Sequence, residues 1–200
     1  MKKDVCILTN FRTGSTSLIQ KLSQDLQLQN LWEYYGKDPA YADVAYQEDQ
    51  NTFAERWPTV LSSSRSSVIM KVMGNQIGFD LDAVKEMSQH CNMIYLYRKD
   101  FLEQAKSWTA WLTAKDWEHH YGKEKEYEID VTQEYFDAQT KLLVDNYQFM
   151  LDSYEIAPGT IMCYEDLFKS NPKRYARKNN WVNEPVLNTP FNTKQFEELK

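Results

Sequence analysis

Residues 4–18 read DVCILTNFRTGSTSL. Val5 to Leu8 is a short apolar run and predicts a buried strand over 4–9. Leu18, Ile19, Leu22 and Leu26 recur at helical spacing and predict one apolar face of a helix over 15–27. Between them lies a turn of Asn, Arg, Thr, Gly, Ser and Thr. Strand, small polar turn and helix bring backbone N–H groups and a helix N-terminus around a phosphate. Gly14 allows close backbone approach, Ser15, Thr16 and Ser17 add hydroxyls, and Arg12 adds a fixed positive charge. The turn departs from the Walker A loop, G-x-x-x-x-G-K-[ST], whose Lys reaches the outer phosphates and whose hydroxyl holds magnesium. No Gly stands five residues before Gly14, and Ser15 replaces the Lys.

A second strand–helix pair occupies 92–112, NMIYLYRKDFLEQAKSWTAWL. Met93 to Tyr97 predicts a strand with Arg98 at its carboxyl end, Asp100 is an N-cap, and Leu102, Ala105, Trp108, Thr109 and Leu112 share a helix face. In open α/β sheets ligands bind beyond the carboxyl ends of strands, so Arg98 is expected beside Arg12. Ser107, nine residues on, completes an Arg-plus-hydroxyl clamp for a second phosphate.

The rest of the chain continues the alternation. Strands are expected near 29–33, at 67–72 and at 160–164, and helices at 81–90, 100–114 and 132–153. The last of these helices has Tyr135, Phe136, Leu142, Leu143, Phe149 and Met150 on its apolar face. Residues 36–66 read as a short helix with loops, 115–131 as a charged surface excursion or lid, and Asn171-Pro172 as the start of a short helix. Residues 181–200 read as an irregular tail of a single domain spanning 1–200. Alternating strands and helices predict an α/β fold with a central parallel sheet covered on both faces.

Composition sets bounds. The 200 residues carry 42% hydrophobic and 14% aromatic side chains, enough for one core. A net charge of −6 argues against general nucleic-acid binding, so anion binding must rest on a few placed cations. Cys6, Cys91 and Cys163 are widely spaced and odd in number, which fits a reducing compartment. The first apolar run is four residues long, too short for a membrane anchor. Adjacent His119 and His120 cannot share a helix face and read as a solvated loop. His90 reads as a helix-end cation. Lys99 and Lys106 read as solvated, and Trp108 and Trp111 as core and pocket wall.

FRTGSTS, RKDFLEQAKS, Glu33-Tyr34-Tyr35, IMKVMGNQIG at 69–78 and YEDL at 164–167 occur in this order, and together they resemble the PAPS-dependent sulfotransferases. The pattern is nearest to that of bacterial trehalose-sulfotransferase-like members. The resemblance implies a P-loop-like sulfotransferase fold. It also implies a 5′-phosphosulfate loop of Arg12, Thr13, Gly14, Ser15, Thr16 and Ser17, and a 3′-phosphate clamp of Arg98 and Ser107. The donor would be 3′-phosphoadenosine 5′-phosphosulfate (PAPS) and the product 3′,5′-bisphosphoadenosine, with no metal. Glu33 would be the base for the acceptor hydroxyl or amine, and an aromatic setting of Trp32, Tyr34 and Tyr35 would raise its pKa. Arg12 would stabilise the leaving phosphate electrostatically, and Lys71 would contact the sulfuryl oxygens. The YEDL carboxylates would be structural. Met73 stands where the cytosolic branch has a catalytic His, and RYARKNN at 174–180 offers Arg174, Arg177 and Lys178 without the Gly of that branch's R-K-G loop.

The expected partner is a small-molecule or carbohydrate acceptor, with no nucleic acid and no membrane, and the expected location is cytoplasmic. Two alternatives stay open: a P-loop-like ATP–Mg²⁺-binding protein or kinase, and a degenerate, non-catalytic binding domain.

Overall fold

The structure, a computed structural model, describes residues 4–31, 33, 67–113, 131–168 and 187–200. Five strands form one all-parallel sheet: β1 Asp4–Thr9, β2 Gln29–Asn30, β3 Val68–Met73, β4 Cys91–Tyr97 and β5 Thr160–Cys163. Their order across the sheet is β2-β3-β1-β4-β5. The helices are α1 Ser15–Leu26, α2 Leu81–His90, α3 Phe101–Thr113 and α4 Gln133–Ile156, with two short ones, α5 Tyr164–Leu167 and α6 Lys194–Glu198. A 3-10 turn, Gly74–Ile77, follows β3 directly.

The period of two in the strands sorts their side chains between two cores. Cys6 and Leu8, Val68, Met70 and Val72, and Met93, Tyr95 and Tyr97 lie on one face, where they pack with apolar residues of α2, α3 and α4. Val5 and Ile7, Ile69, Ile94 and Leu96 lie on the other, against Leu18 and Ile19 of α1. Both faces are covered, so the central strands read as near-continuous apolar runs rather than alternating ones, with Lys71 the charged exception inside β3. Capping follows the sequence: Asp100 Oδ1 accepts the Glu103 N–H at 3.0 Å, and Asp80 Oδ1 accepts those of Asp82 and Ala83 at 2.9 and 3.2 Å.

This arrangement makes the end of β1 the natural ligand site. The connection after β1 leaves to α1 on one face. Those after its neighbours β3 and β4 leave to α2 and α3 on the other. Adjacent strands whose connections part in this way open a crevice at their carboxyl ends. Two such crevices flank β1.

Several expectations need correcting. On α4 the buried aromatic besides Phe136 and Phe149 is Tyr147, while Tyr135 is exposed, because the helix turns a different edge to the sheet over its 24 residues. Leu26 of α1 is also exposed. Lys106, read as solvated, is buried and its ammonium lies 3.6 Å from Glu103 Oε1. The tail, read as irregular over 181–200, holds α6, whose Phe196 is fully buried. That ring stacks on Tyr97 at 5.0 Å and tilts against Tyr147 at 5.5 Å. A run dotted with prolines still supplied one aromatic plug.

Cys6, Cys91 and Cys163 are free and buried, and burial pushes the Cys6 thiol up to about 12. Among the described residues, no helix is long and apolar enough to cross a membrane. The elements expected in 36–66 and at Asn171-Pro172 lie outside the described residues. So does the excursion at 115–131, apart from Val131, together with His119 and His120.

Candidate active site at the carboxyl end of the sheet

The loop from β1 to α1 is held in an unusual backbone form. Arg12 has φ +59° and Gly14 φ +73°, so the sign of φ alternates through Thr13. Such alternation turns successive N–H groups toward one point, an anion-binding geometry. Gly14 is the N-cap of α1 and no side chain caps the helix, which leaves first-turn N–H groups for an external acceptor. The loop is tied inward at several points. The Thr13 hydroxyl sits 2.6 Å from that of Thr9 and donates to Asn10 O at 2.9 Å. Thr13 is fully buried, and its hydroxyl is engaged within the protein. Ser15 is buried, while Thr16 and Ser17 are exposed at the start of α1.

Arg98 follows β4 and meets this loop. Its Nη1 donates to Arg12 O at 3.4 Å. The Arg12 Nε donates to the Ser107 hydroxyl at 3.2 Å, joining residues 95 apart in the chain. The guanidinium of Arg98 lies over the Tyr164 ring, 5.0 Å from its centroid, and its Nε is 3.6 Å from a Glu165 oxygen. Tyr164 also backs the loop: a Cβ at Gly14 would lie 2.6 Å from two of its ring carbons. The YEDL segment therefore shapes the site as well as ending β5.

Glu165 accepts the backbone N–H groups of Lys99 and Asp100 at 2.9 and 3.2 Å and the Cys163 thiol at 3.1 Å. Burial pushes this carboxyl up, but those three donors, with the residue's own backbone N–H, outweigh burial and hold it below its ordinary 4.5. A depressed carboxyl contributes stability above its unfolded pKa and loses it as pH falls through the folded value. Melting curves of wild type and E165Q should therefore converge as pH drops below 4.5. A gap in melting temperature that stays constant between pH 3 and 6 would contradict this.

The second crevice, between β1 and β3, holds the other predicted residues. Lys71 on β3 donates to the Thr16 hydroxyl at 2.9 Å and pairs with Glu33 Oε1 at 2.6 Å. The ammonium is buried, with 6% of its side chain exposed, and Glu33 is 31% exposed. Glu33 Oε2 accepts from Gln76 Nε2 at 3.2 Å. The aromatic neighbours expected around Glu33, Trp32, Tyr34 and Tyr35, lie outside the described residues. Its described partners are a cation and an amide. Arg174, Arg177 and Lys178 also lie outside the described residues.

Sequence reading missed the frame that joins the loops after β1 and β4. Tyr147 accepts the Arg98 backbone N–H at 3.0 Å and donates to Gln104 Oε1 at 2.6 Å. Gln104 Nε2 then donates to Phe11 O at 2.6 Å. Asn10 Nδ2 donates to Leu143 O at 2.7 Å, and Asn10 Oδ1 accepts the Phe11 N–H at 2.9 Å. Both loops are thus pinned to α4. The Phe11 ring stacks on Trp108 at 4.0 Å and Trp108 on Trp111 at 5.1 Å, with Trp108 buried in the core and Trp111 packed against it. The Q in EQAKS was the one available hint, since a buried Gln needs partners.

The arrangement brings together Arg12, Arg98 and the Ser107 hydroxyl on the β4 side of β1 and the Lys71–Glu33 pair on the β3 side, with the start of α1 joined to that pair through Thr16. Chemically it suits an elongated anion whose charged centres span the end of the sheet. No known family model matches the chain, and no curated protein matches it.

Proposed function

We propose that this protein is a sulfotransferase that moves the sulfuryl group of PAPS to a hydroxyl or amine of a small-molecule or carbohydrate acceptor. One observation carries the reading. Residues from five separate sequence segments meet at the carboxyl end of β1, with Arg12 bonded to Ser107 and Lys71 bridging Thr16 and Glu33. The reactive group supplied by PAPS is a sulfuryl on a phosphate leaving group. The Arg12–Gly14 loop and the start of α1 hold the 5′-phosphosulfate. Arg98 and Ser107 hold the 3′-phosphate. Glu33 takes the proton as the acceptor oxygen bonds to sulfur and the sulfur–oxygen bond to phosphate breaks. Arg12 carries the charge that grows on the departing phosphate, and Lys71 the charge on the sulfuryl oxygens.

The rival kinase reading needs a hydroxyl for magnesium one position beyond the loop Lys. Thr16 stands at that position, and its hydroxyl accepts the Lys71 ammonium instead. A fixed cation built into the protein suits a metal-free transfer. Three free, buried thiols support the cytoplasmic location that accompanies this reading.

Calorimetric titration with 3′,5′-bisphosphoadenosine, with ATP–Mg²⁺ as control, tests the proposal. Micromolar binding of the bisphosphate with little ATP affinity is the expected result. Preference for ATP–Mg²⁺ would favour a kinase-like protein, and binding of neither a degenerate fold. Arg98→Ala refines the test. It should weaken the bisphosphate on the order of 10–100-fold, the worth of a charge-assisted contact. Adenosine 5′-phosphate should bind the variant nearly as before. Equal loss for both nucleotides would remove Arg98 from the 3′-phosphate site.

A further inference from the structure

We infer that Gln76 is a positioning residue that sets the orientation of the Glu33 carboxylate, and that the 3-10 turn Gly74–Ile77 exists in this fold as its pedestal. The inference rests on the sulfotransferase reading of Glu33. Gln76 uses both ends of its amide. Its Oε1 accepts the Met73 N–H at 3.0 Å, and its Nε2 donates to Glu33 Oε2 at 3.2 Å. The first bond fixes which way the amide points, because only the NH₂ end is left to face Glu33. Lys71 holds the other carboxylate oxygen at 2.6 Å. The plane of the carboxylate is therefore defined by two donors carried at the end of β3 and on the turn that follows it.

The turn itself is fixed to the body of the protein. The Asn75 N–H donates to Asn146 Oδ1 on α4 at 3.2 Å, and Asn146 Nδ2 donates to Leu142 O at 2.9 Å. A Cβ at Gly74 would meet Phe149 at 2.7 Å and Phe79 at 2.8 Å, so the backbone sits flush against two rings. Glu33 lies three residues beyond β2, and its described side-chain partners, Lys71 and Gln76, give it support carried by other elements. The rigid turn supplies it from outside, as a supporting shell does for a reacting group.

Glu33 has room for this role. A carboxylate offers about four acceptor positions. Lys71 and Gln76 take one on each oxygen, which leaves lone pairs for the acceptor's proton. Gln76 touches Glu33, so it acts through the base.

Gln76→Glu separates this role from a merely structural one. The new carboxylate can still accept the Met73 N–H and so keep the turn, but it presents an acceptor to Glu33 where a donor stood. Release of 3′,5′-bisphosphoadenosine from PAPS is followed with phenol and methyl glucoside as acceptor probes; it counts transfer to any acceptor, water included. Q76E should lower kcat on the order of 100-fold, the cost of a misplaced reacting group. Calorimetric affinity for the bisphosphate should stay within about twofold, since that ligand's charges lie with Arg12, Arg98 and Ser107. Should Q76E fail to fold, Gln76→Met, neutral and of similar length, is judged by the same two numbers. A folded variant with kcat near wild type overturns the positioning role and leaves the sulfotransferase reading standing. A wild-type protein that releases no bisphosphate overturns that reading, and the inference with it.

Discussion

Glu33→Gln is expected to lower sulfuryl transfer by on the order of 100- to 10,000-fold, the range of a lost general base, while leaving 3′,5′-bisphosphoadenosine affinity nearly intact. The amide keeps the shape of the carboxylate and one oxygen that accepts the Lys71 ammonium, which is 2.6 Å away in the wild type. Lys71 therefore keeps a partner, and the bond to Thr16 has no reason to break. What disappears is basicity, together with the oxygen that accepts Gln76 Nε2 in the wild type. The nucleotide contacts, Arg12, Ser107 and Arg98, are joined by bonds that do not involve Glu33. The two quantities should thus separate: kcat falls and the dissociation constant of the bisphosphate does not move. Wild-type turnover in the variant would remove Glu33 as the base. A parallel collapse of nucleotide affinity would instead make the Lys71–Glu33 pair part of the donor site.

Gly14→Ala is expected to cost about 2–5 kcal/mol of stability and to abolish measurable nucleotide binding. Two causes add. A non-glycine residue in the left-handed region costs roughly 1–2 kcal/mol. The new Cβ would also lie 2.6 Å from the Tyr164 ring and 3.2 Å from Phe168, and overpacking of this kind costs about 1–3 kcal/mol unless the ring shifts. Tyr164 cannot shift alone, because the Arg98 guanidinium rests on it. Gly78→Ala provides the control. Gly78 has φ +64° but nothing within 4 Å of the added carbon, so it carries the strain without the clash. Urea unfolding of both variants isolates the Tyr164 contact. If G14A is no less stable than G78A and binds nucleotide normally, the close packing of loop and YEDL segment is wrong.

The sequence disclosed what depends on local pattern. The run from Val5 to Leu8 and the period of α1 gave the first strand–helix unit, and Arg98 at the end of β4 was placed by the rule for parallel sheets. The contact of Arg12 with Ser107 follows once β1 and β4 are neighbours. Bonds made across the fold were not legible. Tyr147 and Gln104 are 43 residues apart, and Asn10 and Leu143 are 133 apart; nothing in either segment marks the other. The choice between Tyr135 and Tyr147 on α4 had the same origin. Both fit a helical face, and only the position of the sheet decides which is inside. Phe196 was hidden by its surroundings, since a single buried aromatic in a polar tail has no period to reveal it.

The frame that joins the two loops contains no ionised group. Within that frame Arg98 contributes its backbone N–H, while its guanidinium makes a separate bond to Arg12 O; the other members are the Tyr147 phenol, the Gln104 amide and the Phe11 carbonyl. Burial pushes the Tyr147 phenol further from ionisation than an exposed tyrosine. Salt screens charges at the protein surface, with a Debye length of about 8 Å at physiological ionic strength, but leaves neutral, buried hydrogen bonds largely untouched. The cradle and the charges it carries thus answer to different variables. Rising ionic strength loosens the grip on an anion without loosening the geometry that waits for it, so an anion lost at high salt finds the same loops in place when the salt is removed.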